Sequence, residues 1–164
     1  MGTRGFDYYQ SAQSRGGPKK STARTECLGR SRGGFGTKVH AVVDALGNCL
    51  HLALTPAERA DSPQLPHLLA ALAQPPGAVA CDKAYDTNNV LTAIAEQCAV
   101  AVIPPKTNRL DQRAYDRNLY AERNKIERFF GRLKEARGFA TRYEKTAVSF
   151  LATAQLLAAL DWMR

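Results

Sequence analysis

The chain has 164 residues, of which 45% are hydrophobic and 23% charged, a composition typical of a globular protein with one core. Its longest apolar run, near residues 150–160, is interrupted by Thr153 and Gln155 and is too short to span a bilayer, so no membrane association is expected. The N-terminus lacks the apolar stretch of a secretory signal, and the four cysteines are unclustered, which favours a cytoplasmic protein.

Basic residues are concentrated in two segments. The formal net charge is +8; residues 1–34 carry seven Lys/Arg against two acids, and residues 105–145 carry twelve against six. Such segments attract phosphate backbones through counterion release, so both are predicted to contact DNA. The alternative is a solvated basic surface that serves solubility.

The N-terminal part of the chain predicts an arm, and the remainder predicts one domain. Residues 16–34 are rich in Gly, Ser, Lys and Arg and contain few apolar residues that could be buried, so residues 1–34 are interpreted as a basic flexible arm. Residues 35–164 are the expected domain. Two β-rich stretches flank the turn-forming residues 44–48 near its start, which predicts a β-hairpin.

The rest of the domain alternates strands and helices. A short apolar run, residues 78–81, leads directly into Asp82; a helix capped by Thr87 follows through about Cys98, and residues 99–105 form the next strand. Asp86 is expected to help cap that helix rather than to bind metal. Two helices are predicted to close the chain, at about 115–137 and 146–163.

One predicted helix carries a polar stripe. At about 100° per residue, Arg123, Glu127 and Lys134 fall within about 60° of Tyr120. An adjacent apolar face would seat the helix on the sheet. Taken singly, the members of the stripe have ordinary explanations, because Glu127 could simply pair with Arg123 and Tyr120 could belong to the core.

Three sequence blocks resemble, in order, the DDE-type transposases of bacterial insertion sequences, specifically the insertion-sequence-five family. The spacing of the stripe is similar to that family's Y-R-E-K signature, within YAERNKIERFFGRLKEARGFATRYEKTA. GRSRGGFGTKVHAVVDALGN and CDKAYD resemble family segments as well. The resemblance covers roughly residues 14–163.

The resemblance implies an α/β domain with the RNase H-like fold, a mixed sheet flanked by helices. It also implies two divalent cations, Mg²⁺ or Mn²⁺, held between three carboxylates for in-line displacement at phosphorus. Asp82 and Glu127 would be the second and third of these catalytic, metal-binding acids. The implied partner is transposon-end DNA, with a second copy or a full-length transposase as further candidates. The expected DNA contacts are Tyr120, Arg123, Lys134, Arg30, Arg32 and Lys38.

The first acid of the resemblance has no counterpart in the sequence. It would fall near Gly2 and Thr3, without the apolar strand that carries it in the family, so the domain is expected to lack its first strand. Asp7 has no such strand before it, and Asp44 is expected to form a turn. The prediction is a truncated transposase that is weakly active or inactive. An RNase H-like nuclease and a non-catalytic DNA-binding remnant that modulates a full-length transposase are the alternatives.

Overall fold

A computed structural model describes residues 6–15, 26–31 and 34–164, with the backbone alone for 6–15 and 31. The described residues form a six-stranded mixed sheet with helices on both faces. Its strands are β1 (Phe6–Arg15), β2 (Gly29–Ser31), β3 (Gly34–Val43), β4 (Cys49–Pro56), β5 (Ala78–Ala80) and β6 (Val100–Val102).

The sheet is antiparallel on one side of β1 and parallel on the other. β3 pairs antiparallel with β1, and β2 and β4 pair antiparallel with successive parts of β3. β5 runs parallel to β1, and β6 runs parallel to β5 after a helical crossover. Because the carboxyl ends of parallel strands meet at one edge, the residue after β5 is presented there.

The expected absence of a first strand is wrong. β1 lies at the centre of the sheet, where eight of its residues, from Tyr8 to Arg15, are in register with β3 and three, from Phe6 to Tyr8, with β5. The prediction of a flexible arm over residues 1–34 therefore fails for 6–15, and 29–31 are a strand as well. Residues 6–15 combine aromatic with polar residues, and pairing on both sides stabilises such a strand without a long apolar run of its own.

The predicted hairpin is confirmed as β3 and β4. Asp44 forms its turn, because its Oδ1 accepts hydrogen bonds from the Leu46 amide at 2.8 Å and the Asn48 amide at 2.9 Å. Gly47 adopts φ +91°, a backbone conformation that only glycine takes without strain.

Six α-helices occur in the described residues: α1 (Leu65–Ala70), α2 (Asn88–Glu96), α3 (Arg117–Ala121), α4 (Asn124–Glu135), α5 (Arg137–Thr141) and α6 (Ala147–Trp162). Short 3-10 helices cover Ser62–Gln64 and Lys83–Tyr85. The final predicted helix is confirmed as α6. The long helix predicted over 115–137 is instead divided, because the backbone tightens to i→i+3 hydrogen bonds at 122–126 and becomes extended at Ala136.

Two apolar clusters cover the two faces of the sheet. Ala78 and Ala80 pack with α4, α5 and α6 on one face, whereas Val79 and Cys81 pack with α1 and α2 on the other. This alternation is the two-residue period of a strand. Continued by one residue, it directs Asp82 to the α4 face. Within the part of the chain that the structure describes, no helix is long and apolar enough to cross a membrane.

Candidate functional site

Asp82 lies immediately after β5, at the carboxyl end of the parallel pair. Its backbone is extended, and its Oδ1 accepts a hydrogen bond from the Lys83 amide at 2.6 Å, which starts the 3-10 helix. The side chain is exposed to solvent. The strand end therefore presents a carboxylate at the surface, on the face that α4 covers.

Glu127 reaches the same region from the first turn of α4. Its Oε1 accepts a hydrogen bond from Arg123 Nη2 at 2.6 Å, one helical turn earlier in the chain. About half of the Glu127 side chain is exposed (49%), whereas that of Arg123 is mostly covered (20%). The apolar residues Ile126, Phe129, Phe130 and Leu133 anchor α4 to the sheet beneath this pair.

Arg123 connects the two acids electrostatically. Burial alone would lower the pKa of its guanidinium, but the hydrogen bond and charge of Glu127, together with Tyr120 and Asp82, raise the pKa above its ordinary value. Arg123 also lies 5.7 Å from the centre of the Tyr120 ring. The structure thus brings Asp82, Glu127, Arg123 and Tyr120 together.

Tyr120 is both a site residue and part of the packing. Its ring packs at the edge of the apolar cluster beneath α4 and meets Tyr115 edge-to-face at 5.6 Å. Burial raises the pKa of its phenol above the ordinary value. Lys134 follows Glu127 by two helical turns on α4 and is exposed. Tyr120 therefore lies on α3 and Lys134 on α4, because the helix that the sequence predicted through both residues is divided.

Comparisons with known proteins identify the family of the chain. The family described as "Transposase DDE domain" matches residues 12–162 of the chain. A "Putative transposase for insertion sequence element IS6501" from Brucella ovis is 40% identical over 129 residues, which are 78% of this chain and 98% of that relative. The chain belongs to the DDE transposase family.

DDE transposases generally use divalent metal ions, and the carboxylates present fit that use in part. Asp82 and Glu127 offer hard oxygen donors at one surface. No cluster of three or more potential His, Cys, Asp or Glu ligands occurs among the described residues. The described side chains thus supply two acids and do not fit a centre built from three carboxylates.

β1 carries one acidic residue, Asp7, and its register position is not beside Asp82. Asp7 is in register with Val79, and Val79 packs on the α1 and α2 face of the sheet. The register position of Asp7 is therefore on the face opposite to α4. The carboxylate of Asp44 accepts the hydrogen bonds that form the hairpin turn. Gly2 and Thr3, where the resemblance would place the first acid, lie outside the described residues.

The three other predicted DNA contacts have different surroundings. Arg30 is exposed on β2, where it is in register with Phe35. Lys38 donates a hydrogen bond to the Arg59 carbonyl at 2.7 Å and forms an ion pair with Asp61 at 2.9 Å, so its charge is already engaged within the chain. Arg32 lies outside the described residues.

Several basic residues of the segment 105–145 stabilise the fold of the transposase domain. Arg132 forms a two-bond ion pair with Asp161 of α6, at 2.6 and 2.7 Å. Arg142 is buried in a left-handed backbone conformation, where its guanidinium donates to Thr37 Oγ1 and to the Glu26 carbonyl. Part of the positive charge that the sequence assigned to DNA contact is therefore structural.

Asp86 is a residue whose role the sequence did not reveal. Thr87 caps α2, as predicted, but Asp86 does not: its buried carboxylate accepts hydrogen bonds from the Lys106 amide at 2.8 Å and from Arg109 and Arg113 at 3.0 Å each. Burial would raise the pKa of this carboxyl, but these three donors hold the pKa below its ordinary value. Asp86 thus fastens the loop after β6 to the turn that begins at Asp82.

Proposed function

We propose that the chain binds the DNA ends of an insertion sequence through an RNase H-like domain, and that DNA cleavage by the isolated chain is weak or absent. The observation that carries the proposal is the site itself. The charge of Arg123 interacts with Glu127 and with Asp82, which follows β5 at the carboxyl end of the parallel strands, and no cluster of three potential metal ligands occurs among the described residues.

The sheet topology supports the RNase H-like assignment. Three antiparallel strands, β4, β3 and β1, are followed by two strands parallel to β1. In support of that assignment, Asp82 follows the fourth strand of this set, and Glu127 lies on α4, which covers one face of the sheet. β2 is an addition to this plan, at the end of β3.

Exposed basic groups beside the acids support DNA binding. Arg128 is exposed next to Glu127, and Lys134 is exposed two turns further along α4. Arg123 can hold Glu127 and still offer its other guanidinium nitrogens to a phosphate oxygen, because a guanidinium carries five N–H donors. The tyrosine hydroxyl of Tyr120 is a further donor at the same surface.

Binding is tested by fluorescence anisotropy with duplexes that contain the inverted-repeat ends of the flanking element, over a series of salt concentrations. The logarithm of affinity should fall linearly with the logarithm of salt, and Lys134→Ala should reduce the slope by about 1 if Lys134 neutralises one phosphate. Lys145→Ala is a matched control, since Lys145 is also exposed but lies outside the stripe. Equal affinity for end sequences and scrambled duplexes would favour a general RNase H-like nuclease instead.

Cleavage is tested with the same duplexes and Mg²⁺ or Mn²⁺. The expected result is no product above that of Asp82→Ala. Robust cleavage that Asp82→Ala abolishes would contradict the proposed deficit, and it would leave the binding proposal standing. Binding without turnover would support the reading that the chain modulates a full-length transposase by occupying its sites.

A further inference from the structure

The loop after β6 is held in one shape by side-chain hydrogen bonds. The buried Asp86 carboxylate accepts from the Lys106 amide at its start. Gln112 Nε2 donates to the carbonyls of Lys106 and Arg109, at 3.0 and 2.8 Å. Arg109 Nη1 donates to Asn88 Oδ1 at 2.7 Å. Surface loops are usually more mobile than the elements they connect, so a loop fixed at several points presents its exposed groups in a defined place.

Two hydrogen bonds through Asp86 connect the backbones of Lys83 and Lys106. The Asp86 amide donates to the Lys83 carbonyl at 3.1 Å, and the Asp86 carboxylate accepts from the Lys106 amide at 2.8 Å. Lys83 directly follows Asp82, and Lys106 lies in the loop after the neighbouring parallel strand. Because a lysine has a flexible four-carbon stem, both ammonium groups can reach one stretch of a ligand beside Asp82.

The cations around Asp86 divide into paired arginines and unpaired lysines. Asp86 forms ion pairs with Arg109 and with Arg113 at 3.0 Å each. The Lys83 side chain is exposed, and that of Lys106 is partly exposed. Among the described residues, neither ammonium group has an ion-pair or hydrogen-bond partner. The arginines are thus committed to the fold, whereas the two lysine charges are free to meet a ligand.

The neighbouring acids indicate why a DNA ligand needs these lysines. Asp82 and Glu127 are exposed carboxylates, and they repel a phosphate group that approaches them. Arg123 Nη2 is already bound to Glu127 at 2.6 Å. Additional cations on a separate element beside Asp82 offset this repulsion, because exposed lysines neutralise phosphates and release their counterions.

We propose that Lys83 and Lys106 form a phosphate-binding pair for the DNA strand that passes Asp82, and that Asp86 is the residue that positions them. The inference rests on the proposed binding of insertion-sequence ends. It adds contacts at the ends of β5 and β6 to those expected on α3 and α4. Asp86 would not touch DNA itself, because its side chain has no exposed surface.

The first test is the salt dependence of binding to duplexes that contain the inverted-repeat ends, measured by fluorescence anisotropy. Lys83→Ala and Lys106→Ala should each lower affinity and reduce the slope of log affinity against log salt by about 1, since one phosphate fewer is neutralised. The double variant should reduce the slope by about 2, and Lys106→Arg, which keeps the charge, should leave it near the wild-type value. Lys145→Ala, at an exposed lysine outside the turn and the loop, should leave the slope unchanged.

Lysine acetylation followed by mass spectrometry tests the contact in the wild-type protein and does not depend on how a variant folds. End DNA should protect Lys83 and Lys106 from N-hydroxysuccinimide acetate, because an ammonium group that contacts a phosphate reacts more slowly. Lys145 should react equally with and without DNA.

A double-mutant cycle tests the positioning role of Asp86. Asp86→Ala removes all hydrogen bonds to its carboxylate, so the affinity lost on Lys106→Ala should be at least about twofold smaller in that background than in wild type. Gln112→Ala loosens the loop at an exposed position and should reduce the loss in the same direction, so the test does not depend on the folding of Asp86→Ala. The control is Asp111→Asn, also exposed in this loop, which should retain the full loss.

The outcomes separate this inference from the proposed function. If the wild-type protein shows no salt-dependent binding of DNA, both fail. If Lys134→Ala reduces the slope but Lys83→Ala or Lys106→Ala leaves it unchanged, the proposed function stands and the lysine pair is overturned. Acetylation of both lysines that DNA does not slow would overturn the pair as well. An equal loss from Lys106→Ala in every background would overturn the positioning role of Asp86.

Discussion

Removal of the Asp86 carboxylate should destabilise the domain, because it detaches the loop after β6 from the turn that begins at Asp82. Its side chain has no exposed surface and accepts hydrogen bonds from Lys106, Arg109 and Arg113. Breaking a buried ion pair typically costs about 3–5 kcal/mol. The two arginine side chains are about a quarter exposed (26% and 28%) and can regain water, so Asp86→Ala should cost about 2–4 kcal/mol.

Asp86→Asn removes the negative charge of the side chain but keeps an oxygen that can accept hydrogen bonds. The amide oxygen can still accept from the Lys106 amide, so the expected cost is about 1–3 kcal/mol. The measurement is equilibrium unfolding in urea followed by circular dichroism. Asp111→Asn is the matched control, because Asp111 is an exposed acid in the loop after β6 that Asp86 binds, and its substitution should change stability by less than about 0.5 kcal/mol.

The pH dependence gives a second check on Asp86. Because the pKa of its carboxyl is lower in the folded state than in the unfolded chain, its contribution is present above the ordinary value of about 3.9 and is lost as pH falls through the folded value. The stability difference between wild type and Asp86→Asn should be constant between about pH 7 and 5 and shrink below about pH 4. A difference that is negligible at neutral pH, or that grows on acidification, would refute the reasoning.

Three further predictions concern His40, Gly47 and Thr146. Burial lowers the pKa of His40 to about 4, so its imidazole should titrate near that value by NMR, and stability should fall as pH drops from about 6.5 to about 4; a midpoint near 6.5 would contradict this. Gly47→Ala places alanine at φ +91° and should lower the free energy of unfolding in urea by about 1–2 kcal/mol. The control is Ala73→Gly at an exposed position, which should lower that free energy by no more than about 0.5 kcal/mol. Thr146→Ala removes the oxygen that accepts from the Ser149 amide at 3.1 Å and should cost about 1 kcal/mol by the same assay; an unchanged midpoint would show that α6 needs no cap.

The sequence predicted well the features that depend on neighbours along the chain. The turn at Asp44 and Gly47, the Thr87 cap and helix α6 all follow from local hydrogen-bonding and from apolar spacing, and the structure confirms each. The family assignment rested on three ordered motifs, and the comparisons confirm it. The roles of Asp82 and Glu127 stay predictions, supported by their convergence on Arg123.

The errors concern residues whose surroundings come from distant segments. Residues 6–15 lack a clear strand pattern, yet β3 and β5 on either side make them the central strand, because backbone pairing does not require apolar side chains along the whole strand. Asp86 has the sequence context of a helix cap, but its carboxylate instead accepts hydrogen bonds from two arginines that lie more than twenty residues away in the chain.

The sequence by itself determined the family, the local turns and caps, and the amphipathic character of α4, since these reside in short-range spacing. The tertiary structure alone decided the position of β1 and the division of the helix that was predicted to carry the Y-R-E-K stripe. It also decided which basic residues form internal ion pairs. Those outcomes depend on which buried groups find partners, and burial and pairing arise only when remote segments of the chain meet.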